Sequence, residues 1–180
     1  MNRAADLACC AIAAPLLLPL HALISLAILL DDGGPVLFRQ TRLGLARQPF
    51  AICKFRTMRN GRVTRVGAWL RRSGLDETAQ VLNVLTGDMS WIGPRPLTLA
   101  DTERLGWQHP RHDPRYRLKP GMTGLAQLYG GIGAGWTRGI DRLYRQRRGP
   151  ALDLWIALWS VAINLGGKPR VRRYLLRHRR

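Results

Sequence analysis

The chain has 180 residues, room for one domain with a modest core. Its 29 Lys and Arg against 11 Asp and Glu give a net charge of +18, which leaves two broad classes of partner: nucleic acid, or an anionic membrane surface. Cys9, Cys10 and Cys53 lack metal-site spacing, so the sequence carries neither a zinc site nor a disulfide framework.

Residues 4 to 30 form the most apolar stretch, and the loop signal Asp31-Asp32-Gly33-Gly34-Pro35 ends it. It is long enough to span a bilayer as one helix, and it fits a cleavable signal peptide badly. Pro15 and Pro19 each remove a backbone donor in mid-run, so a bend is expected there, with His21 and Ser25 adding polarity just beyond it. On physical grounds two outcomes stay open: a kinked spanning helix, or a helix that enters the bilayer, turns at the prolines and leaves on the same side. Arg39, Arg42 and Arg47 follow the segment and place the body of the protein on the cytoplasmic face. The expected division is therefore a membrane-inserted helix over residues 1–32 and a cytosolic body over 33–180.

Val36-Leu37-Phe38 and Phe50 to Phe55 read as short strands, with a basic turn from Arg39 to Arg47 between them. Helices are expected over Val66 to Arg72 and from Asp76 to Leu85, the second ending at Gly87-Asp88. Trp91 to Pro96 reads as an extended loop braced by prolines, and residues 97 to 118 as helix followed by basic loop. Pro120 to Gly124 reads as a tight turn, and Gly130, Gly131, Gly133 and Gly135 make a flexible stretch. Residues 151 to 165 are apolar but too short to span a bilayer. Asp153, Ala157, Ser160 and Asn164 put small and polar groups on one face, with Trp155 and Trp159 on another. Two readings stand at even weight: an amphipathic helix lying in the membrane interface, and an ordinary core helix. The tail from Lys168 to Arg180 would meet anionic lipid headgroups. The fold class is α+β and mostly helical.

The chain has two glutamates, Glu77 and Glu103, so the neighbouring pair Asp76-Glu77 stands out. Ser73 three residues before Asp76 is a capping-box pattern, which by itself explains an acid in a first helical turn. The same position holds a carboxylate ionised near Arg71 and Arg72, beside backbone N–H groups that attract anions. Such a carboxylate is a plausible nucleophile at a phosphoryl centre, and a neighbouring Glu can bind magnesium or manage a proton. Capping and catalysis are compatible. Lys54 and Arg56 and the proline-bracketed Arg95 are further candidate phosphate contacts, since Pro94 and Pro96 fix the backbone that carries the Arg95 guanidinium.

In order along the chain, Gly34-Pro-Val-Leu-Phe-Arg-Gln-Thr-Arg-Leu-Gly44, Lys54-Phe-Arg-Thr-Met58, Leu75-Asp-Glu77 with Asn83-Val-Leu85, Gly87-Asp-Met-Ser90, Ile92-Gly-Pro-Arg-Pro-Leu97 and Lys119-Pro-Gly-Met-Thr-Gly-Leu-Ala-Gln127 resemble the bacterial sugar transferases, the monotopic phosphoglycosyl transferases that prime glycan assembly. The resemblance implies an enzyme that moves a phosphosugar from a UDP-sugar onto polyprenyl (undecaprenyl) phosphate and releases UMP. It implies Asp76 as the nucleophile of a covalent phosphosugar intermediate, and Glu77 as its partner, both linked to Mg2+. It implies Arg71 at phosphate, and Pro94-Arg95-Pro96 at the nucleotide-sugar pocket. It also implies a re-entrant first helix, with Leu18-Pro19 at the family's break, and the bacterial inner membrane as location. Anionic lipids are expected partners, and a homodimer is left open. A nucleic-acid module is disfavoured, because six tryptophans and an apolar N-terminus suit a membrane better. A catalytically inactive scaffold of the same fold is the remaining alternative.

Overall fold

The computed structural model describes residues 2–130 and 134–166, with side chains placed as far as Ile163. The expectations for Gly131, Gly133, the Asn164 side chain and the basic tail lie outside the described residues.

Helix α1 (Arg3–Asp32) is capped by the Asn2 side chain, which accepts from the Ala5 N–H at 2.9 Å, and it ends at Gly33 in the left-handed conformation. It stays helical through Pro15 and Pro19. Each proline removes one donor from the helix ladder, and the remaining bonds carry the helix across. The helix is anchored at both ends to the same body. At the start, the Arg3 guanidinium donates to the carbonyls of Val84 and Leu85, and buried Asp6 accepts from the Ser90 hydroxyl (2.8 Å) and the Trp91 N–H (3.0 Å). At the end, Ile24 and Ile28 join a core cluster with Phe55 and Leu70, and Asp32 pairs with Arg56. The opposite face leaves Ile12, Leu16, Leu23 and Leu30 exposed.

Strands β1 (Leu37–Leu43) and β2 (Pro49–Phe55) form an antiparallel ribbon in which Leu37 faces Phe55 and Leu43 faces Pro49. Arg39 and Arg42, expected in a turn, therefore lie in β1. A tight hairpin joins β3 (Met58–Arg59) to β4 (Arg62–Val63) around Asn60-Gly61, both with positive φ. Helix α2 (Arg65–Ser73) is N-capped by Thr64 and stops at left-handed Gly74. A 3-10 segment, Leu75–Gln80, follows and passes directly into α3 (Val81–Thr86). Ser73 does not form the expected capping box. As the last residue of α2, its hydroxyl donates back to the carbonyls of Trp69 and Leu70, so Asp76 opens the next segment with no side-chain cap before it.

Strand β5 (Ser90–Ile92) leads to α4 (Leu99–Arg104), which starts at a capping box of Thr98 and Asp101. After a 3-10 segment at Pro110–Arg117 comes β6 (Gly121–Thr123), paired parallel to β5. The expected tight turn at Pro120 to Gly124 is thus a strand. It forms because glycines let two backbones meet: a Cβ on Gly121 would lie 2.0 Å from the Gly93 nitrogen, and one on Gly124 2.0 Å from the Gly93 carbonyl. Helices α5 (Leu125–Leu128), α6 (Ala134–Arg147) and α7 (Pro150–Gly166) complete the fold around a core that includes Ile140, Tyr144 and Ile156. Trp155 and Trp159 are half-buried and pack against this core, while Leu154, Leu158 and Val161 form the outward face of α7. Trp155 and Trp159 thus lean on the core, and leucines take the outer face.

Candidate functional site

The positioning starts at Gly74. Its left-handed backbone (φ 75°) stops α2 and turns the chain so that Asp76 and Glu77 fall in the first turn of the next segment, facing strand β2. Lys54, near the end of β2, donates to Glu77 Oε1 at 2.7 Å, and Arg95 reaches the same oxygen at 3.5 Å. Asp76 is half-buried beside them. Burial raises its carboxyl above the ordinary range and the neighbouring Glu77 charge raises it further, while Lys54, its own backbone N–H and Arg71 pull it back. The carboxylate is therefore less favoured here than a helix start flanked by arginines suggests, because desolvation outweighs the cations. Arg71 is exposed and held by a bond from its Nε to the Thr57 hydroxyl at 2.8 Å.

The Pro94-Arg95-Pro96 loop has a backbone almost without donors, since both prolines lack an N–H. Each of its three carbonyls is gripped. The Gly121 N–H donates to Pro94 at 2.9 Å, the Arg115 guanidinium to Arg95 at 3.1 Å, and the Arg42 guanidinium to Pro96 at 3.5 Å. Arg115 is itself fixed: its Nε and Nη2 both donate to Asp141 Oδ2, at 3.0 and 2.9 Å, with side chains only 8% and 5% exposed. Arg42 also pairs with Asp101 at 3.2 Å. Proline bracketing, expected to preorganise Arg95, is thus one half of the device, and the carbonyl clamps are the other.

Lys54, Glu77 and Arg95 line a small cleft together with Arg42, Gln80 and Gln127. Glu77 and Arg95 also form part of the wall of a larger cavity of about 790 Å3. By chemistry its lining falls into two parts, a cationic and aromatic arm of Arg104, Trp107 and Arg115 and an apolar arm that includes Trp91, Ala157 and Val161. Asp76 lines neither cavity. Pro96 lines the cleft, and Pro94 acts through its carbonyl. Arg56 stands apart: its guanidinium pairs with Asp32 at the end of α1 and lines neither cavity. Sequence reasoning missed Arg42, Gln80 and Arg115. Arg42 and Arg115 sat inside runs of basic residues with nothing to single them out, and Gln80 was one polar residue in an expected helix.

Asp76 and Glu77 are hard oxygen donors of the kind magnesium prefers, and no cluster of three or more His, Cys, Asp or Glu forms a site among the described residues. The pair fits an ion held jointly with phosphate oxygens and water, the usual manner for magnesium at phosphoryl centres.

Residues 1–167 match the family described as Bacterial sugar transferase. The chain is 42% identical over 174 residues to the UDP-glucose:undecaprenyl-phosphate glucose-1-phosphate transferase of Caulobacter vibrioides, covering 89% of this chain and 64% of that protein. It is 38% identical over 176 residues to the enzyme of the same name from Escherichia coli, covering 89% of this chain and 37% of that protein. It is 37% identical over 186 residues to the Exopolysaccharide production protein PSS of Rhizobium leguminosarum, covering 92% of this chain and 90% of that protein. The chain thus spans less than two thirds of the length of the first two relatives.

Proposed function

The chain belongs to the bacterial sugar transferase family, and from that premise we propose that it transfers a phosphosugar from a UDP-sugar to undecaprenyl phosphate, priming assembly of a bacterial glycan. The observation that carries this reading is Glu77, the neighbour of Asp76, set against Lys54 and Arg95 at the wall of a cavity with a cationic and an apolar arm. Two of the relatives are named for transfer from UDP-glucose, which makes glucose the first sugar to test.

In the first half-reaction an Asp76 carboxylate oxygen attacks the phosphorus that bears the sugar. The bond from that phosphorus to the UMP oxygen breaks, and UMP leaves with the electron pair. Lys54 and Arg95 balance the diphosphate charge as it shifts towards the leaving group. In the second, a phosphate oxygen of undecaprenyl phosphate attacks the same phosphorus, the bond to Asp76 breaks, and the carboxylate is restored. Glu77 keeps Lys54 and Arg95 converged on the reacting phosphate. Asp76 and Glu77 would hold magnesium, which when bound would supply charge neutralisation at the diphosphate.

The apolar outer face of α1, long and apolar enough by length and composition to cross a membrane, supports insertion into the bilayer. Anchoring of both its ends to one body supports insertion from a single, cytoplasmic face of the inner membrane rather than a free span. Residues 33–180 would then form the cytosolic catalytic domain.

The test is UMP release from a panel of UDP-sugars, UDP-glucose first, with magnesium and undecaprenyl phosphate, and with Asp76→Asn alongside. Release that depends on one sugar and on Asp76 is expected. Equal release by the Asn variant would sink the covalent mechanism. Binding of UDP-sugars without release would favour the inactive scaffold.

A further inference from the structure

The two arms of the large cavity differ in kind. The cationic arm has an indole against a guanidinium, with the Arg115 charge 5.0 Å from the Trp107 ring centre. It suits the nucleotide of the donor. The other arm runs from Glu77 and Arg95 to a wall made by Cys9 of α1, Trp91 of β5, and Ala157, Ser160, Val161 and Ile163 of α7. Its few polar groups are already satisfied within the protein. The Trp91 indole N–H points to the Asp6 carbonyl at 3.1 Å and Cys10 Sγ at 3.3 Å. The Thr123 and Ser160 hydroxyls pair at 2.6 Å, and Ser160 donates to the Ile156 carbonyl at 2.7 Å. What this arm presents to a ligand is hydrocarbon, and it has little to offer a sugar hydroxyl.

Two features fit an occupant with a charged head and a long apolar tail. The arm is continuous with the Arg95 end, where a phosphate would be balanced. At its far side Val161 lines the cavity while staying 57% exposed, beside the outward Leu154 and Leu158, so the arm opens onto the most apolar surface of α7. We propose that this arm, between α1 and α7, is the groove for the first isoprene units of the acceptor, which places its phosphate at Arg95 and lets the rest of the chain pass out beside Val161. The inference rests on the acceptor reading above. It adds a site and a direction of approach: the acceptor enters sideways from the hydrocarbon, past the exposed Val161.

The experiment has a binding arm and a kinetic arm. Cys9 is half-exposed on the groove wall, while Cys10 and Cys53 are only 5% and 8% exposed, so a maleimide added to the folded protein reports on Cys9. Undecaprenyl phosphate should slow that labelling about tenfold at saturation, and undecaprenol or a diacyl phosphatidic acid at the same concentration much less. Equal protection by the phosphatidic acid would make the arm a general lipid groove and overturn the proposal, as would no protection by undecaprenyl phosphate. In the kinetic arm, Ala157→Phe fills the groove and should raise the KM for undecaprenyl phosphate about tenfold. It should leave the KM for methyl phosphate, which has no isoprene unit to place in the groove, and the exchange of labelled UMP into UDP-sugar without acceptor, within about twofold. A fall in exchange to match the loss of transfer, or an equal rise in KM for both acceptors, would also overturn it. Should Ala157→Phe fail to fold, Val161→Trp at the exposed mouth carries the same expectation. If the wild type shows no UMP exchange at all, the functional reading fails, while Cys9 protection still decides the groove.

Discussion

The chain carries two adjacent acid pairs, Asp31-Asp32 and Asp76-Glu77, and each draws a cation from the same stretch of chain: Arg56 goes to Asp32, Lys54 to Glu77. They do different work. Asp31 accepts from the Val66 N–H at the start of α2 at 3.0 Å, Asp32 takes Arg56, and Arg59 takes the Asp32 carbonyl. Every one of those contacts fastens the end of α1 to the body. The second pair meets the cavities through Glu77, shares its cations with any anion that enters, and contains a carboxyl, Asp76, that burial and its neighbour push upward. An acid pair beside basic residues is therefore either a staple or a reactive centre, and what separates the two is whether the cations are consumed by the fold.

The matched substitutions Asp76→Asn and Asp32→Asn give the largest test of that contrast. Asp76→Asn should abolish turnover, because an amide is a far poorer nucleophile. It should also raise the melting temperature at pH 7 in a chelating buffer. The sign follows from the raised carboxyl: the folded state disfavours the ionised form, so at neutral pH the charge costs stability, and that cost disappears as pH falls through the raised value. The gap between the two melting curves should close in acid. Asp32→Asn should do the reverse, losing about 2 kcal/mol of stability while turnover per folded molecule stays near wild type. If both variants lose activity in proportion to stability, the contrast is wrong.

A smaller effect comes from the two cations. Lys54 holds the Asp76 carboxyl down, so Lys54→Met should move the acid limb of the pH–rate profile to higher pH. Arg56→Met should leave the limb in place, since Arg56 is spent on Asp32. UMP release measured across pH reads both. A limb that moves equally in the two variants would mean that the net charge of the protein, and not the pairing, governs Asp76.

Much of this was legible in the sequence. The apolar run, the two strands of the ribbon, helix α2, the later half of the helix expected from Asp76 to Leu85 and the Asp76-Glu77 pair follow from pattern, because each is a local property; the first half of that helix is the 3-10 segment Leu75–Gln80. Lys54, Arg95 and Glu77 were singled out separately, and the fold brings them to one oxygen. Three things were not legible. Pro120 to Gly124 looked like a turn because glycine and proline signal turns, yet those glycines serve a strand pressed against Gly93, a contact 28 residues away in the chain. Arg115 and Asp141 lie far apart in sequence, and only burial makes their pairing important. Arg56 had the same claim as Lys54 until the end of α1 arrived beside it. The Asn60-Gly61 hairpin, by contrast, was readable from its turn residues and was overlooked.

The smallest expected effect concerns the link between the two regions. His21 Nε2 lies 3.1 Å from the Thr78 hydroxyl, which itself donates to the Leu75 carbonyl at 2.7 Å, one residue before Asp76. With its own proton so used, the hydroxyl accepts from His21, which fixes the ring as a donor at Nε2. Helix α1 therefore touches the reactive turn through one side-chain bond as well as through packing. Thr78→Val keeps the shape, removes both hydrogen bonds and leaves the His21 donor without that acceptor, a loss of about 1 to 2 kcal/mol. If the turn is held mainly by Gly74 and by Lys54 on Glu77, turnover should fall by less than about tenfold, with the KM for UDP-sugar unchanged. A loss approaching that of Asp76→Asn would mean that the helix sets the position of the nucleophile, and that the two regions, distinct in chemistry, are one in mechanics.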